Sequence, residues 1–276
     1  MKNDKGILYI VATPIGNLKD ITYRAVEILR DVHYIAVEDA RVSYRLLKYY
    51  DITKKSLLHY HDSASNKDSI INLLHKGFDV ALICDAGTPL ISDPGCDLVT
   101  MAVAADIKVV PIPGPSSVIA GLSASGLLVQ KFLFYGFLPN KKSQRVKELR
   151  SLSEIEFTIV LLESVHRIID TLGDLKLIWP NSKVVIAREL TKFYEEFIRG
   201  TIDEVLAICM AKNKMKGEFV IILEPGLIEQ NQDYSQLIKK LWNDGYGAKQ
   251  ITALMTSSYS ISKKNAYEMA LFFKPQ

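Results

Sequence analysis

Residues 80–95 read Val80-Ala81-Leu82-Ile83-Cys84-Asp85-Ala86-Gly87-Thr88-Pro89-Leu90-Ile91-Ser92-Asp93-Pro94-Gly95. An apolar run stops at Asp85 and gives way to a loop with two glycines and two prolines. A short apolar run with β-branched residues suits a central parallel strand covered on both faces. Asp85 then falls at the strand's carboxyl end, where open α/β sheets hold ligands. Gly87 and Gly95 permit close backbone approach or positive φ, while Pro89 and Pro94 stiffen the turn. From this loop alone, an ordinary strand-to-helix connection with Pro94-Gly95 opening the next helix is equally open.

Two further loops share the design. Residues 9–22 form a strand that ends in Thr13-Pro14-Ile15-Gly16-Asn17-Leu18, before a helix that Asp20 or Thr22 can cap. Residues 111–127 run from Pro111-Ile112-Pro113-Gly114-Pro115-Ser116-Ser117 into a helix of small residues, which let backbones and ligands come close. Strands at 7–12, 34–38, 56–61, 80–84 and 108–112 alternate with amphipathic helical patterns, the signature of a mainly parallel sheet. Strands at 132–137, 157–163, 184–188, 197–201 and 219–223 follow with fewer helices between them, so a second, mixed sheet is expected. Three prolines in 111–115 make a hinge, because they continue neither a helix nor a central strand. The expected organisation is an α/β domain over 1–113, a second α/β domain over 114–226, and an all-α appendage over 227–276. In the appendage, Leu237, Ile238, Leu241 and Trp242 repeat at helical spacing, and a polar linker at 229–233 precedes them. Gly245 and Gly247 break that run, and two short helices follow in a helix-turn-helix-like arrangement.

Composition narrows the function classes. A chain of 276 residues, 48% hydrophobic, can bury a sizeable core and is near the length at which one core divides into two. A formal charge of +3 is too small for holding a long duplex by phosphates alone, so any nucleic-acid contact is local. Cys84, Cys96 and Cys209 are odd in number and lack Cys-x-x-Cys spacing, which supports neither a disulfide framework nor a metal site. A reduced, cytoplasmic protein is the expectation. No basic-then-apolar leader opens the chain and no stretch approaches the ~20 apolar residues of a membrane span. No strand is followed by Gly-x-Gly-x-x-Gly, Gly121 to Gly126 is not followed by Lys-Ser/Thr, and no Gly-x-Ser-x-Gly elbow occurs. Ser116 and Ser117 therefore read as ligand contacts or a helix cap, not as nucleophiles.

The Thr13–Leu18, Asp85–Gly95 and Pro113–Ser116 runs resemble those of the class III S-adenosylmethionine-dependent methyltransferases, the tetrapyrrole methylases. Within that family they are most similar to the bacterial branch that methylates ribose 2′-oxygens of small-subunit ribosomal RNA. The resemblance spans about residues 7–225 and implies two α/β domains with a cofactor cleft between them. It departs from the corrin and porphyrin branch, where Gly-x-Gly-Pro-Gly-Asp stands in place of Ala12-Thr13-Pro14-Ile15-Gly16-Asn17 and Gly-Asp-Pro in place of Gly87-Thr88-Pro89. Both departures argue against a tetrapyrrole substrate. The implied cofactor is S-adenosylmethionine, held by Pro14, Ile15, Asp85, Ala86, Gly87, Thr88, Ile91, Ser116, Ser117, Leu162 and Ala187. Backbone groups near Gly87 would address its amino-acid end. The implied substrate is a cytidine in small-subunit (16S) ribosomal RNA, free or in the 30S subunit, and a homodimer is expected.

A 2′-hydroxyl is a poor nucleophile, so a base or an oxyanion-stabilising cation should stand near it. The catalytic candidates are Glu38, Asp39 and Arg41, which follow the second strand and carry both signs of charge; Glu163 and Glu189 are the reserve bases. The RNA-binding candidates are Lys141, Lys142, Arg145, His166 and Arg167. Residues 131–150 hold six basic residues against one acid, Glu148, and Phe134, Tyr135 and Phe137 precede them, which permits stacking beside a phosphate-facing helix. Three readings compete with the main one: a tetrapyrrole methylase, a methylase of a modified histidine in an elongation factor, and a non-catalytic RNA-binding module.

Overall fold

The computed structural model describes residues 5–61, 67–212, 217–225, 234–259 and 263–274. The first sheet contains β1 (Leu8–Val11), β2 (Tyr34–Val37), β3 (Ser56–His59), β4 (Val80–Leu82) and β5 (Val109–Ile112), in the order β3-β2-β4-β1-β5. Every pairing in it is parallel. Helices α1 (Tyr23–Asp31), α2 (Ala40–Tyr49), α3 (Lys67–His75) and α4 (Cys96–Ala104) connect the strands. Helices on both faces explain why the central strand β4 is apolar throughout. Val80 and Leu82 pack with Ile70, Leu74 and Leu98 on one face, while Ala81 and Ile83 pack with Ala25, Leu29 and Leu47 on the other. Of the two expected caps for α1, Thr22 serves, its side chain accepting from the Ala25 N–H.

The second sheet is mixed, as the uneven helix spacing implied. Strands β6 (Phe132–Phe137), β7 (Thr158–Ser164), β8 (Lys183–Arg188), β9 (Glu196–Thr201) and β10 (Glu218–Glu224) lie in the order β6-β7-β10-β8-β9. Only β6 and β7 run parallel. Phe219, Ile221 and Leu223 face a core with Leu172, Leu175, Trp179 and Val205, drawn from α7 (Ile168–Ile178) with its C-terminal Trp179 and from α8 (Ile202–Ala211). Val220 and Ile222 face Val118 and Leu122 of α5 (Ser117–Ser125) together with Ile15 and Leu190. The β1–α1 loop thus contributes Ile15 to the second sheet's core.

A bulge interrupts β6 between Phe134 and Gly136, where Gly136 takes φ +83°. Leu133 and Tyr135 point to the helix-covered core, and the extra residue brings Phe137 to the opposite face and leaves it exposed. After β6 comes α6 (Lys142–Ser151).

These elements form one compact unit; the helices after it form another. The second unit contains α9 (Ser235–Asn243), α10 (Ala248–Tyr259) and α11 (Lys263–Phe272), closed around Tyr234, Ile238, Ile251, Met255, Ala266 and Ala270. Gly245 at φ +87° follows α9, where the sequence breaks its helical repeat. The polar linker at 229–233 and the expected boundary at residue 226 lie outside the described residues. No helix among the described residues is long and apolar enough to cross a membrane.

Candidate active site

At the carboxyl end of the first sheet, three loops are tied to one another. Thr13 and Gly87 exchange backbone hydrogen bonds, Thr13 N–H to Gly87 C=O at 2.8 Å and the reverse at 3.0 Å. The Thr13 hydroxyl donates to the Cys84 carbonyl at 3.1 Å, and the Thr88 hydroxyl to the Pro115 carbonyl at 3.1 Å. Gly87 sits at φ +88°, a conformation that a β-branched side chain resists. The expectation that backbone groups near Gly87 reach a ligand is corrected at Gly87 itself, because its N–H and C=O are both held by Thr13.

Between this triple loop and the second sheet lies a cavity of about 420 Å³. Ile15, Asp85, Ala86, Ile91, Ser117, Leu162 and Ala187 line it, all expected there from the sequence. Pro14, Gly87, Thr88 and Ser116 do not line it; the last three support the loops behind it. Thr88 links two loops, and Ser116 caps α5, its hydroxyl accepting from the Ile119 N–H at 3.4 Å. The cavity also takes in Glu38, Ser92, Asp93, Phe137, Glu163, Leu190, Glu218 and Val220. Adjoining it, a recess lined by Asp39, Ala40, Arg41, His59 and His61 shares Glu38 and Asp85 with the cavity.

The charged candidates separate sharply. Asp39 caps α2, and its carboxylate takes the Arg41 N–H at 2.8 Å, Nε at 3.1 Å and the terminal guanidinium nitrogen at 2.7 Å. Those bonds hold the Asp39 carboxyl well below the ordinary carboxylate range, which makes it a poor proton acceptor. The expectation of Asp39 as a base is therefore corrected, while Arg41 remains at the surface. Glu163 is buried and accepts from Arg167 Nε and a terminal nitrogen at 2.8 Å each, from the Thr171 hydroxyl at 2.7 Å and from the Ser164 N–H at 2.7 Å. Glu189 is bound by Lys192 at 2.9 Å, which holds it low against the opposing effect of burial. Neither reserve base is free.

Two RNA-binding candidates are corrected for the same reason. Arg145 is only 3% exposed and pairs through Nε with the buried Asp174 at 2.7 Å. Arg167 is occupied by Glu163, the Leu138 carbonyl and the Asn140 side chain. Lys141, Lys142 and His166 are exposed, His166 on the turn between β7 and α7. Of the three aromatics, Phe134 and Tyr135 pack into the two cores and Phe137 reaches the cavity.

Sequence reasoning missed Asp93. Its carboxyl lines the cavity, interacts with the Cys84 thiol, and is raised to about 6, first by burial and then by the nearby Glu38 and Asp85. Burial in turn pushes the Cys84 thiol far above its ordinary value. The signal available in sequence was an acid within the proline- and glycine-bearing loop, in the Ile91-Ser92-Asp93-Pro94 turn. What sequence could not supply was its proximity to Glu38 from another strand.

Residues 7–206 match the family model described as Tetrapyrrole (Corrin/Porphyrin) Methylases. The chain is 42% identical to Ribosomal RNA small subunit methyltransferase I of Pasteurella multocida, over 98% of this chain and 99% of that one. It is 40% identical to the protein of the same name from Bacillus subtilis, over 95% and 90%. Among solved structures, a uroporphyrin III C-methyl transferase from Thermus thermophilus superposes with a TM-score of 0.56, covering 79% of this chain and 97% of that one; at 15% identity it speaks to fold alone.

Proposed function

Because this chain belongs to the tetrapyrrole (corrin/porphyrin) methylase family, we propose that it transfers a methyl group from S-adenosylmethionine to the ribose 2′-oxygen of a cytidine in small-subunit ribosomal RNA. The observation that carries the reading is the cavity, whose walls and rim match that cofactor in kind. Ile15, Ala86, Ile91, Leu162, Ala187 and Leu190 offer apolar surface for an adenine and a thioether stem, and the size falls within the range of small-molecule sites. Glu38, Asp85 and Asp93 supply negative charge suited to a sulfonium. Full-length relatives named as small-subunit ribosomal RNA methyltransferases support the substrate class.

When bound, S-adenosylmethionine supplies an electrophilic methyl carbon, so the protein's own work is to orient the acceptor and manage its proton. Arg41 stands exposed at the recess beside Glu38, in position to meet a phosphodiester flanking the acceptor ribose. Lys141, Lys142 and His166 extend cationic and hydrogen-bonding surface for the RNA, while Phe137 offers an aromatic face.

Two measurements test the reading. Calorimetry with S-adenosylmethionine should show binding that Gly87→Val weakens at least about tenfold, about 1.4 kcal/mol, because the branched side chain cannot hold φ +88°. Mass spectrometry of ribosomal RNA from a deletion strain should show one unmethylated cytidine. Full methylation there, or no heat with the wild-type protein, would refute the assignment.

A further inference from the structure

Resting on the methyl-transfer reading above, we propose that Asp93 is the residue that takes the proton from the acceptor hydroxyl. Three of the other four carboxylates around the cavity are committed elsewhere, and the fourth, Glu38, is the like charge that faces Asp93. Glu163 holds four hydrogen bonds, Glu218 is bound by Lys192 at 3.3 Å, and Asp85 accepts the Asp39 backbone N–H at 3.1 Å. Among the described residues, the hydrogen-bonding partner of the Asp93 carboxyl is the Cys84 thiol, a weak donor. It stands on a turn that the fold maintains against local preference. Leu90 and Ser92 both adopt positive φ, at 73° and 67°, and Gly95 takes φ +138° with its hydrogen facing Leu82, where a Cβ would lie 2.8 Å from a methyl carbon. Such positions persist where the surrounding structure imposes them, often at functional sites.

The charges facing Asp93 explain why it suits the task. Glu38 at the end of β2 and Asp85 at the end of β4 are like charges, and the Cys84 thiol lies beside it on β4's extension. Across the cavity, Glu163 and Glu218 are neutralised by Arg167 and Lys192. Burial and the two acids favour the protonated form, which moves the carboxyl from the acid range to about 6. A base poised there is deprotonated at neutral pH yet retains useful basicity. In the step, the hydroxyl proton passes to a carboxylate oxygen of Asp93 and the O–H pair stays on the ribose oxygen. That oxygen forms the new bond to the methyl carbon, the former methyl–sulfur pair remains on sulfur, and Asp93 later releases its proton to water.

The test combines turnover with the free protein. Wild-type single-turnover rates should rise with pH and level off above about 6. Asp93→Asn should lower the plateau about 10²-fold or more and abolish that limb. Glu38→Gln, which removes a like charge, should move the limb to lower pH. In the free protein, the carboxyl carbon resonance of Asp93 should titrate near the same midpoint and shift the same way in Glu38→Gln. Melting gives an independent sign. A carboxyl whose folded pKa lies above its unfolded value loses stabilisation as pH rises from about 4 to about 6, so Asp93→Asn should gain about 2 °C or more over wild type above pH 6 and little below pH 4. Wild-type rate and pH profile in a folded Asp93→Asn would overturn the proposal and leave the methyl-transfer reading intact. So would a Glu38→Gln protein whose limb and resonance do not move. Wild-type protein that methylates no small-subunit RNA would overturn both.

Discussion

Glu163 and Asp174 in the second sheet's layer, and Glu38 and Asp93 at the strand ends of the first, are all carboxylates withdrawn at least partly from water. The first two are surrounded by donors and the second two by other acids. Arg167, Thr171 and the Ser164 N–H saturate Glu163, and Arg145 answers Asp174. Glu38 and Asp93 repel one another across the cavity wall. Paired charges fix geometry and are costly to disturb. Burial beside an uncompensated like charge raises proton affinity, as at Asp93, which is useful where a proton must move. Substitutions in the two regions should therefore fail in different ways, the first by unfolding and the second by losing chemistry.

The largest effect is expected at Arg145. Arg145→Ala strands Asp174 in the interior with Lys142 at 3.9 Å as its remaining cation, and should cost about 3–5 kcal/mol in urea denaturation. Replacing both partners, Arg145→Met with Asp174→Leu, should cost much less. A single variant within about 0.5 kcal/mol of wild type, the ordinary range for surface changes, would break the distinction. Next comes Thr171→Val, which keeps shape and removes one donor from Glu163; a loss of about 1–3 kcal/mol is expected from the same measurement, with cofactor affinity retained. The smallest stability effect belongs to Lys141→Ala combined with Lys142→Ala, about 0.5 kcal/mol or less. Its signature lies in RNA binding, where affinity should fall and the slope of log K against log salt should flatten by up to about 0.7 per lysine. An unchanged slope would return this helix end to the role of a solvated surface.

Ten strands are legible in the sequence because two physical rules act locally: apolar alternation and proline or glycine punctuation at the carboxyl ends. The seven cavity-lining residues anticipated from sequence come from the family resemblance carried by the Thr13–Leu18, Asp85–Gly95 and Pro113–Ser116 runs, not from these local rules. The errors have a different cause. Arg145 looked like a surface cation because its neighbours Lys141, Lys142 and Lys147 are, yet it falls four residues before the buried Leu149 and so on the inward stripe of α6. Its partner sits on α7, and no local pattern announces a pairing between helices. Asp39 followed by Arg41 reads equally as a catalytic pair or a helix cap, and the structure makes it a cap. Asp93 depends on Glu38, a residue more than fifty positions earlier, and only the pairing of β2 with β4 brings their loops together.

The position of β1 carries a consequence in time. Leu8 pairs with Val80 on one side and Val109 on the other, so the first strand synthesised sits between two of the last in its sheet. At roughly 5–20 residues per second, the ribosome needs several seconds to deliver those partners. Until β4 emerges the nascent Leu8–Val11 segment has both edges open, and the edge toward β5 stays open until residue 112 follows. The cavity closes later still, because Leu162, Ala187 and Val220 of the second sheet complete its wall, so the site is among the last features of this unit to form.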